Sequence, residues 1–350
     1  MLFVRRARIT RQRRSEMPWN TTETEIKLKA ALKTFNWSEV KYICQQLVEE
    51  IYRNIDQFPE DVAKRLLSNL RRKQCFEEIV LLSEAFIRTG LRSPQILRQY
   101  AQSLIDQGFL TAPEFILDSI IADPHGIKNE EGEARGLIGR LYKQLYVNAK
   151  TPDTNYSRNN LRKALQSYLE VYALAPETNL WHGINAVALI KRAQRDQVSL
   201  PGAPNPTIAA ANIIEAIDKR EIEIGPLYPW DLATKLEALI ATGDFDKAEE
   251  LARLYSEYDG VDAFELSSTL RQLEEVWQLD DKERPGDKVL PILRGALAAR
   301  RGTSVTIDPK KIQEQQDNVE KVFGADKPAP VNWLLTLLER GKSVVRIEKR

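Results

Sequence analysis

Hydrophobic residues recur along the chain with the three- or four-residue spacing that is typical of amphipathic helices. In one segment, the apolar positions at this spacing are Val40, Ile43, Cys44, Leu47 and Ile51. The spacing returns in the following segments, with Pro59 and Gly90 placed where helices can begin or end. Strand-like alternation occurs only around residues 302–308 and 343–348. The pattern therefore predicts an all-α fold with a small mixed C-terminal extension.

The helical pattern also repeats over a longer period. A tetratricopeptide (TPR) repeat is a 34-residue helical hairpin that needs small residues where its helices cross. Residues 93–126 fit this register: Gly108 falls at the turn, Ala112 and Ser119 at the crossing, and Pro124 at the end. This segment is therefore predicted to form one TPR-like hairpin.

Further copies follow in a consistent order. Residues 229–262 fit the register again, with Gly243 at the turn between the two helices. Between the two copies, we predict a helix at about 130–149, an inserted polar loop at 150–160 and a second helix containing Tyr168. Stacked hairpins form a solenoid with a concave surface that suits peptides, helices or small polar ligands.

Changes in composition and hydrophobic pattern divide the chain into three parts. Residues 1–20 are predicted to be a basic, disordered arm, and residues 21–280 to be the TPR-like helical domain. The polar, turn-rich run 280–287 suggests a linker. Residues 281–350 are therefore predicted to be a connector or extension.

Composition supports a folded protein that is not a general nucleic-acid binder. The chain is 43% hydrophobic and 29% charged, and its net charge is +1. The first 14 residues carry six arginines and no acid, so this arm either contacts phosphate or an acidic partner or is a plain tail. No stretch is apolar enough to predict a membrane span. Cys44 and Cys75 are predicted to be core residues in a reducing, cytoplasmic setting.

Motifs that would indicate an enzyme are absent from the sequence. It contains no HExxH, CxxC, GxSxG, Walker A or GxGxxG pattern. The two histidines, His125 and His182, have no neighbouring nucleophile. We therefore predict no catalytic residue, no cofactor and no metal, although an enzyme subunit with an unrecognised site stays an alternative.

The first candidate binding segment lies in the helix predicted before the polar loop. Gly136 and Gly139 each cost about 1 kcal/mol relative to alanine inside a helix, which suggests close approach of another backbone or a ligand. Arg135, Gly139 and Lys143 share one helix face, and Arg140 lies beside Lys143. A cationic face beside a glycine gap suits an anion such as phosphate. Salt bridges to nearby glutamates combined with tight helix packing would explain the same residues.

The second candidate segment is residues 179–186, where Trp181, His182 and Asn185 cluster at a predicted helix start. Asn185, expected in the first turn, could donate to a ligand or cap a neighbouring helix. His182 is either a hydrogen-bonded structural histidine or a ligand contact. Residues 228–231 also open a helix, and we interpret them as mainly structural.

These segments together resemble a known family. The matching runs are EARGLIGRLYKQLY at 133–146, WHGINAVALI at 181–190 and WDLATKLEALIATGDFDKA at 230–248. They resemble the TRAFs-binding, TPR-related sensor domain found in apoptosis signal-regulating kinases and in bacterial conflict and stress-signalling proteins. The resemblance covers roughly residues 25–280.

A second resemblance concerns the C-terminal part. The runs VLPILR at 289–294, VFG at 322–324 and GKSVVRI at 341–347 are similar to the connector that joins such domains to a trypsin-like serine peptidase. No motif of the peptidase triad is present in the sequence. This similarity implies an effector of the peptidase type, either as a separate partner polypeptide or as another part of a larger protein.

Together, the resemblances imply a non-catalytic sensor in bacterial stress or defence signalling. It would bind a small anionic, nucleotide-derived signal and control an effector such as a trypsin-like peptidase. The candidate ligand-binding residues are Arg135, Gly139, Arg140, Lys143, Tyr146, His182 and Asn185. The alternative is a TPR scaffold for protein–protein interaction with no small-molecule ligand.

Overall fold

The computed structural model describes residues 21–53, 58–123 and 128–302. The arm predicted at residues 1–20 and the mixed segments predicted after residue 302 lie outside these described residues. His125 also lies outside them.

The described residues form fourteen α-helices and no strand, so the predicted all-α, solenoid-like fold is confirmed. In chain order the helices are α1 (Thr21–Lys33), α2 (Trp37–Arg53), α3 (Glu60–Arg72), α4 (Phe76–Arg88), α5 (Pro94–Asp106), α6 (Ala112–Ile121), α7 (Lys128–Val147), α8 (Asn155–Leu174), α9 (Leu180–Arg195), α10 (Pro206–Ile224), α11 (Pro229–Thr242), α12 (Phe245–Glu257), α13 (Ala263–Arg271) and α14 (Gly286–Arg300). A π-helical turn, Gln272–Val276, extends α13. Consecutive helices pack in pairs, which gives seven hairpins within the described part of the chain.

Local sequence signals place the hairpin turns where the repeat pattern predicts them. Gly108 follows α5 with φ +85°, and Gly243 ends α11 with φ +85° in the left-handed conformation. Glycine adopts this conformation without the Cβ clash that other residues suffer. The hairpins α5–α6 and α11–α12 therefore lie within the predicted segments 93–126 and 229–262, and the predicted terminator Pro124 lies outside the described residues.

The polar loop predicted at residues 150–160 is shorter in the structure. The helix α8 already begins at Asn155, because the side chain of Thr154 accepts a hydrogen bond from the backbone N–H of Ser157 at 3.1 Å. A side-chain cap of this kind stabilises a helix start by about 1 kcal/mol. Half of the predicted loop is therefore helical, since the sequence reasoning overlooked this cap.

Three apolar clusters form a continuous core along the stacked hairpins. The first joins α1 to α5, the second joins α5 to α9, and the third joins α9 to α14. Cys44 and Cys75 are free thiols in the first cluster, as predicted. The helix α14 lies beyond residue 280 and packs against α12 and α13. No helix among the described ranges has the length and apolarity needed to cross a bilayer.

The superhelix curls until its seventh hairpin meets its second. The Phe264 ring at the start of α13 packs edge-on against the Phe76 ring, with centroids 6.3 Å apart. The guanidinium of Arg71 lies 4.6 Å from the centroid of the same Phe264 ring. Arg301, which follows α14, donates to Gln74 Oε1 at 2.6 Å. We call this contact between residues 71–76 and the α13–α14 hairpin the seam, and it closes the solenoid into a ring.

Candidate functional site

The ring of hairpins surrounds a central cavity of about 640 Å³ that stays partly open to solvent. Its wall comes mainly from the first helices of hairpins two to seven, which are α3, α5, α7, α9, α11 and α13. The cationic side chains of the wall are Arg71, Arg98, Arg140, Lys143, Arg220 and Arg271. Its aromatic side chains are Trp181, Tyr228, Trp230 and Phe264. Ligand pockets for small molecules have volumes of this order.

The cavity gathers four of the seven residues that the sequence nominated. Arg140, Lys143, His182 and Asn185 all line it. The other three, Arg135, Gly139 and Tyr146, are not part of its wall. The sequence therefore identified the two helices, α7 and α9, that contribute to the site, but only some of their inward-facing positions.

Arg140 reaches the cavity wall, but its charge is already matched. It makes a two-pronged ion pair with Asp106, with Nη2···Oδ1 at 2.5 Å and Nη1···Oδ2 at 3.2 Å. Arg271 donates to the same carboxylate at 2.9 Å. Burial alone would raise the pKa of Asp106, but the two guanidinium groups overcome that effect and the pKa is lowered. Two cavity arginines are therefore held by one internal carboxylate.

Lys143 is the centre of a buried polar network. Its ammonium donates to Asn185 Oδ1 at 2.7 Å and to Gln272 Oε1 at 2.6 Å. Asn185, in the second turn of α9 rather than the first, donates in turn to the backbone oxygen of Trp181 at 2.8 Å. Burial lowers the pKa of Lys143. The network links α7 and α9 to the π turn after α13.

Glu237 is a buried acid whose charge interacts with the Lys143 of this network. It is buried on α11 and accepts a hydrogen bond from the indole N–H of Trp277 at 2.7 Å. Burial raises the pKa of Glu237, and the positive charge of Lys143 opposes that rise. Glu237 and Lys143 are thus a buried acid and a buried base on the inner wall of the cavity. Desolvation disfavours the charged form of each side chain.

The remaining predicted residues of α7 serve packing. Arg135 is partly exposed and pairs with Glu131 at 2.9 Å and with Glu170 at 3.6 Å. The hydroxyl of Tyr146 donates to Asp196 Oδ2 at 2.6 Å. These contacts fit the alternative of salt bridges and tight helix packing that the sequence left open.

The two glycines of α7 make room for aromatic rings rather than for a second backbone or a ligand. A Cβ at Gly139 would lie 2.9 Å from Cζ of Tyr168, and one at Gly136 would lie 2.5 Å from Cζ3 of Trp181. Real Cβ atoms do not approach other atoms so closely, so only glycine fits at either position. The gap expected between the two cations at Gly139 is filled by the Tyr168 ring.

His182 is a buried, neutral histidine. Its Nε2 lies 3.2 Å from the backbone oxygen of Gly132, so this nitrogen carries the proton and donates it to the carbonyl. Burial lowers the pKa of His182 to about 4, although the carbonyl contact opposes this. The ring also packs edge-on against Trp181, with centroids 4.9 Å apart. His182 therefore fixes the start of α9 against α7 while one edge faces the cavity.

The sequence reasoning missed the wall that comes from α3, α5 and α13. Arg71, Gln99, Gln102 and Phe264 all line the cavity. The signal was available in α5, where Gln99 and Gln102 occupy inward positions at helical spacing and are buried. Buried glutamines on a face that should be apolar are a mark of a polar interior.

Residues 228–231 open the helix α11 and also contribute to the cavity wall. Pro229 opens α11, and the Asp231 carboxylate accepts from the backbone N–H of Tyr228 at 3.4 Å, as the structural interpretation predicts. Asp231 also accepts from Arg220 at 2.6 Å. Trp230 and Asp231 nevertheless line the cavity, so this helix start contributes to its wall.

Comparison with known families agrees with this architecture. Residues 43–190 match the family described as Tetratricopeptide Repeats-Sensor, or TPR-S. This match confirms the resemblance to a TPR-related sensor domain over these residues. No curated protein matches the sequence.

The TPR-S match runs from α2 into α9 and includes the four predicted residues that line the cavity. The opposite wall, from α11 and α13, lies outside it. The family supports a TPR-like sensor or regulatory module. Within the ranges that the structure describes, no group of three or more His, Cys, Asp or Glu side chains is placed to hold a metal ion.

Proposed function

We propose that this protein is a non-catalytic sensor that binds a small anionic, nucleotide-class ligand in its central cavity and thereby controls an effector. The observation that carries the proposal is the central cavity of about 640 Å³, whose wall combines six cationic side chains with amide and aromatic groups and with the carboxylates of Glu133, Asp231, Glu237 and Glu275. Aromatic faces stack on planar bases, and amide groups pair with their edges. Guanidinium groups favour phosphate.

The closed ring favours a small ligand over the scaffold alternative. A TPR scaffold uses an open concave groove to hold a peptide or a helix. Here the contact between α3 and α13 folds that concave surface in on itself. A cavity of about 640 Å³ is in the size range of small-molecule pockets, which favours a nucleotide over a helix about 10 Å across.

The effector side of the proposal rests on the C-terminal resemblance. The helix α14 carries the run 289–294, which is similar to the connector that precedes trypsin-like peptidases. A cytoplasmic effector of this type, in bacterial stress or defence signalling, would be governed by the ligand state of the cavity. The arginine-rich arm at residues 1–14 is a second candidate contact with an acidic partner or with nucleic acid.

The test combines extraction and binding. The full chain is purified, denatured in methanol and searched for small molecules by mass spectrometry. Separately, AMP, ADP, cyclic AMP and NAD are titrated by calorimetry, with uncharged adenosine as the comparison. The proposal expects at least one anionic nucleotide to bind, and Trp230→Ala to weaken that binding.

Two results would count against the proposal. Recovery of a stable complex with a peptide or protein inside the ring, with no nucleotide bound, would support the scaffold alternative. Hydrolysis or modification of a bound nucleotide would contradict the non-catalytic assignment. Co-purification from the native host, followed by protein mass spectrometry, tests whether a peptidase is the partner.

A further inference from the structure

The six cationic side chains of the cavity differ in whether they have an ion pair or a side-chain hydrogen bond. Arg98 pairs with Glu130 at 2.6 Å, and Arg220 pairs with Asp231 at 2.6 Å. Arg140 and Arg271 share Asp106, and the Lys143 ammonium has two amide oxygens as acceptors. Within the described part of the chain, Arg71 alone among the six has neither an ion pair nor a side-chain hydrogen bond. An unmatched guanidinium in a cavity wall is a binding group for an anion.

Among the described residues, the surroundings of Arg71 also leave its guanidinium without a hydrogen-bond acceptor. Its guanidinium stacks on the Phe264 ring at 4.6 Å, which leaves its edge and its five N–H donors without acceptors. Burial lowers its pKa, and the acids Asp262 and Glu265 oppose this only from a distance. Those two acids are occupied with capping the start of α13, where each accepts a backbone N–H at 2.9 Å.

The α5 part of the same cavity wall offers free acceptors. Ser68 lies one turn before Arg71 on α3, and its hydroxyl oxygen accepts from Gln99 Nε2 at 3.1 Å. The side-chain oxygens of Gln99 and Gln102 have no hydrogen-bond partner, although these residues are only 4% and 9% exposed. Buried amide oxygens without donors are costly unless a ligand supplies the donors. The complementary ligand carries an anionic group next to hydroxyl or amino groups, as a phosphorylated sugar or nucleotide does.

The same residues lie at the seam that closes the ring. None of the three apolar clusters spans α3 and α13, so the seam lacks the core that joins neighbouring hairpins. Its contacts include the Arg71–Phe264 and Phe76–Phe264 pairs and two hydrogen bonds at the end of α14. Close by, Gly302 lies against the Phe35 ring. The Asp106–Arg271 ion pair lies nearby. The α13 segment is therefore held across the ring by ring stacking and by polar contacts, which also join its π turn to α7 and α9.

We propose that a phosphate-bearing ligand binds Arg71 beside Phe264 and holds the second and seventh hairpins together, so that ligand binding and ring closure are one coupled event. This inference rests on the proposed function and adds to it the position of the anion and the element that responds. A ligand that touches both sides of the seam binds the closed ring better than an open one, and it shifts the population accordingly. The end of α14 is part of the seam through Arg301, so the chain that follows α14 is attached to the moving element.

The test uses the full chain and two matched arginine variants. Arg71→Gln removes the cavity guanidinium, whereas Arg72→Gln changes the exposed neighbour on the same helix. Inorganic phosphate, ribose 5-phosphate, AMP and adenosine are titrated by calorimetry. Hydrogen exchange of the α3 and α13 amides is measured with and without each probe. Arg71→Lys and Phe264→Leu are included because each keeps a positive charge at residue 71.

We expect a phosphate-bearing probe to bind the unmodified chain and Arg72→Gln equally, and to slow exchange in α3 and α13 together. Arg71→Gln should weaken that binding by about 10- to 100-fold, the range for a lost hydrogen bond to a charged group. Arg71→Lys should fall between them, because lysine keeps the charge but loses the planar fork. Phe264→Leu should weaken binding without removing any charge.

Each contrary result has its own meaning. Equal binding by Arg71→Gln and the unmodified chain would overturn the inference while leaving the proposed function intact. Slower exchange in α3 alone would overturn the coupling to ring closure, and equal affinity for AMP and adenosine would overturn the anion site. Failure of the anionic nucleotides of both tests to bind the unmodified chain would overturn the proposed function, and the inference with it.

Discussion

Asp106 and Arg271 lie 165 positions apart in the chain, and their side chains form an ion pair of 2.9 Å. Asp106 ends α5 in the third hairpin, and Arg271 ends α13 in the seventh. Arg140 of α7 completes the group by donating to both oxygens of the same carboxylate, so that Oδ1 accepts from both arginines. This triad ties three first helices across the ring, and it uses charges that would otherwise be open to a ligand.

Removing the shared carboxylate should be strongly destabilising. Asp106→Asn keeps the shape of the side chain but leaves Arg140 and Arg271 without a counter-ion. Loss of one partner from a buried ion pair costs about 3–5 kcal/mol. Urea unfolding at pH 7 should show a loss of this size. Asp118→Asn, at an exposed position on the neighbouring helix α6, is the control and should change little.

The effect of Asp106→Asn on the free energy of unfolding should also depend on pH. The pKa of Asp106 is lower in the folded protein than its ordinary value of 3.8. The stabilisation is therefore fully present above pH 3.8 and is lost as the pH falls through the folded value. The gap in unfolding free energy between Asp106→Asn and the unmodified protein should narrow below pH 3.8. A gap that stays constant would show that the charge of Asp106 is not its source.

His182 predicts a second window of pH sensitivity. Its pKa is lowered from 6.5 to about 4 by burial, so the unfolded chain takes up a proton before the folded protein does. Stability is therefore complete above pH 6.5 and falls as the pH drops toward 4, by about 3 kcal/mol from this residue. His182→Gln should flatten the unfolding profile between these values. The same change at His125 is the comparison, and equal flattening there would contradict the assignment.

Alanine substitutions at two glycines of α7 distinguish the effect of side-chain packing on stability from the effect of helix propensity. A Cβ at Gly139 would press on the buried Tyr168 ring, whereas one at Gly132 would meet only Val171 Cγ1 at an ordinary 3.9 Å. Gly139→Ala should destabilise the protein by about 1–3 kcal/mol through overpacking. Gly132→Ala should stabilise it by up to about 1 kcal/mol, since alanine favours the helix. Thermal melts of the two variants should move in opposite directions.

Arg135 and Arg140, both predicted from the sequence as candidate ligand-binding residues, should behave differently. Arg135→Ala removes partly exposed ion pairs, which contribute about 0–1 kcal/mol. Arg140→Ala leaves Asp106 buried with only Arg271 and should cost about 3–5 kcal/mol. Urea unfolding of both variants measures the contrast. Similar losses would mean that burial does not separate these residues.

Sequence reasoning reached the helices and several hairpins because their signals are local. Apolar spacing defines each helix, and glycines such as Gly108 and Gly243 define turns that no side chain with a Cβ enters easily. The resemblance to a sensor family rested on runs of residues in order, and the TPR-S match over residues 43–190 confirms it. The start of α8 was missed because its cap, Thr154, looks like any polar loop residue in the sequence.

The candidate site was predictable only in part, for a physical reason. Helical register places Arg140 and Lys143 on neighbouring positions, but it does not say which neighbour neutralises each charge. Asp106 lies 34 residues before Arg140 and Gln272 lies 129 residues after Lys143, so these partners depend on the curvature of the whole superhelix.

The sequence by itself determined the repeating helical hairpins, because short-range periodicity and turn chemistry carry that information, and its runs of residues carried the resemblance to the sensor family. Only the tertiary structure decided that the solenoid closes and that Arg71 of α3 faces Phe264 of α13 across a polar cavity. Small rotations between successive hairpins add up over the array, and no local pattern encodes their sum.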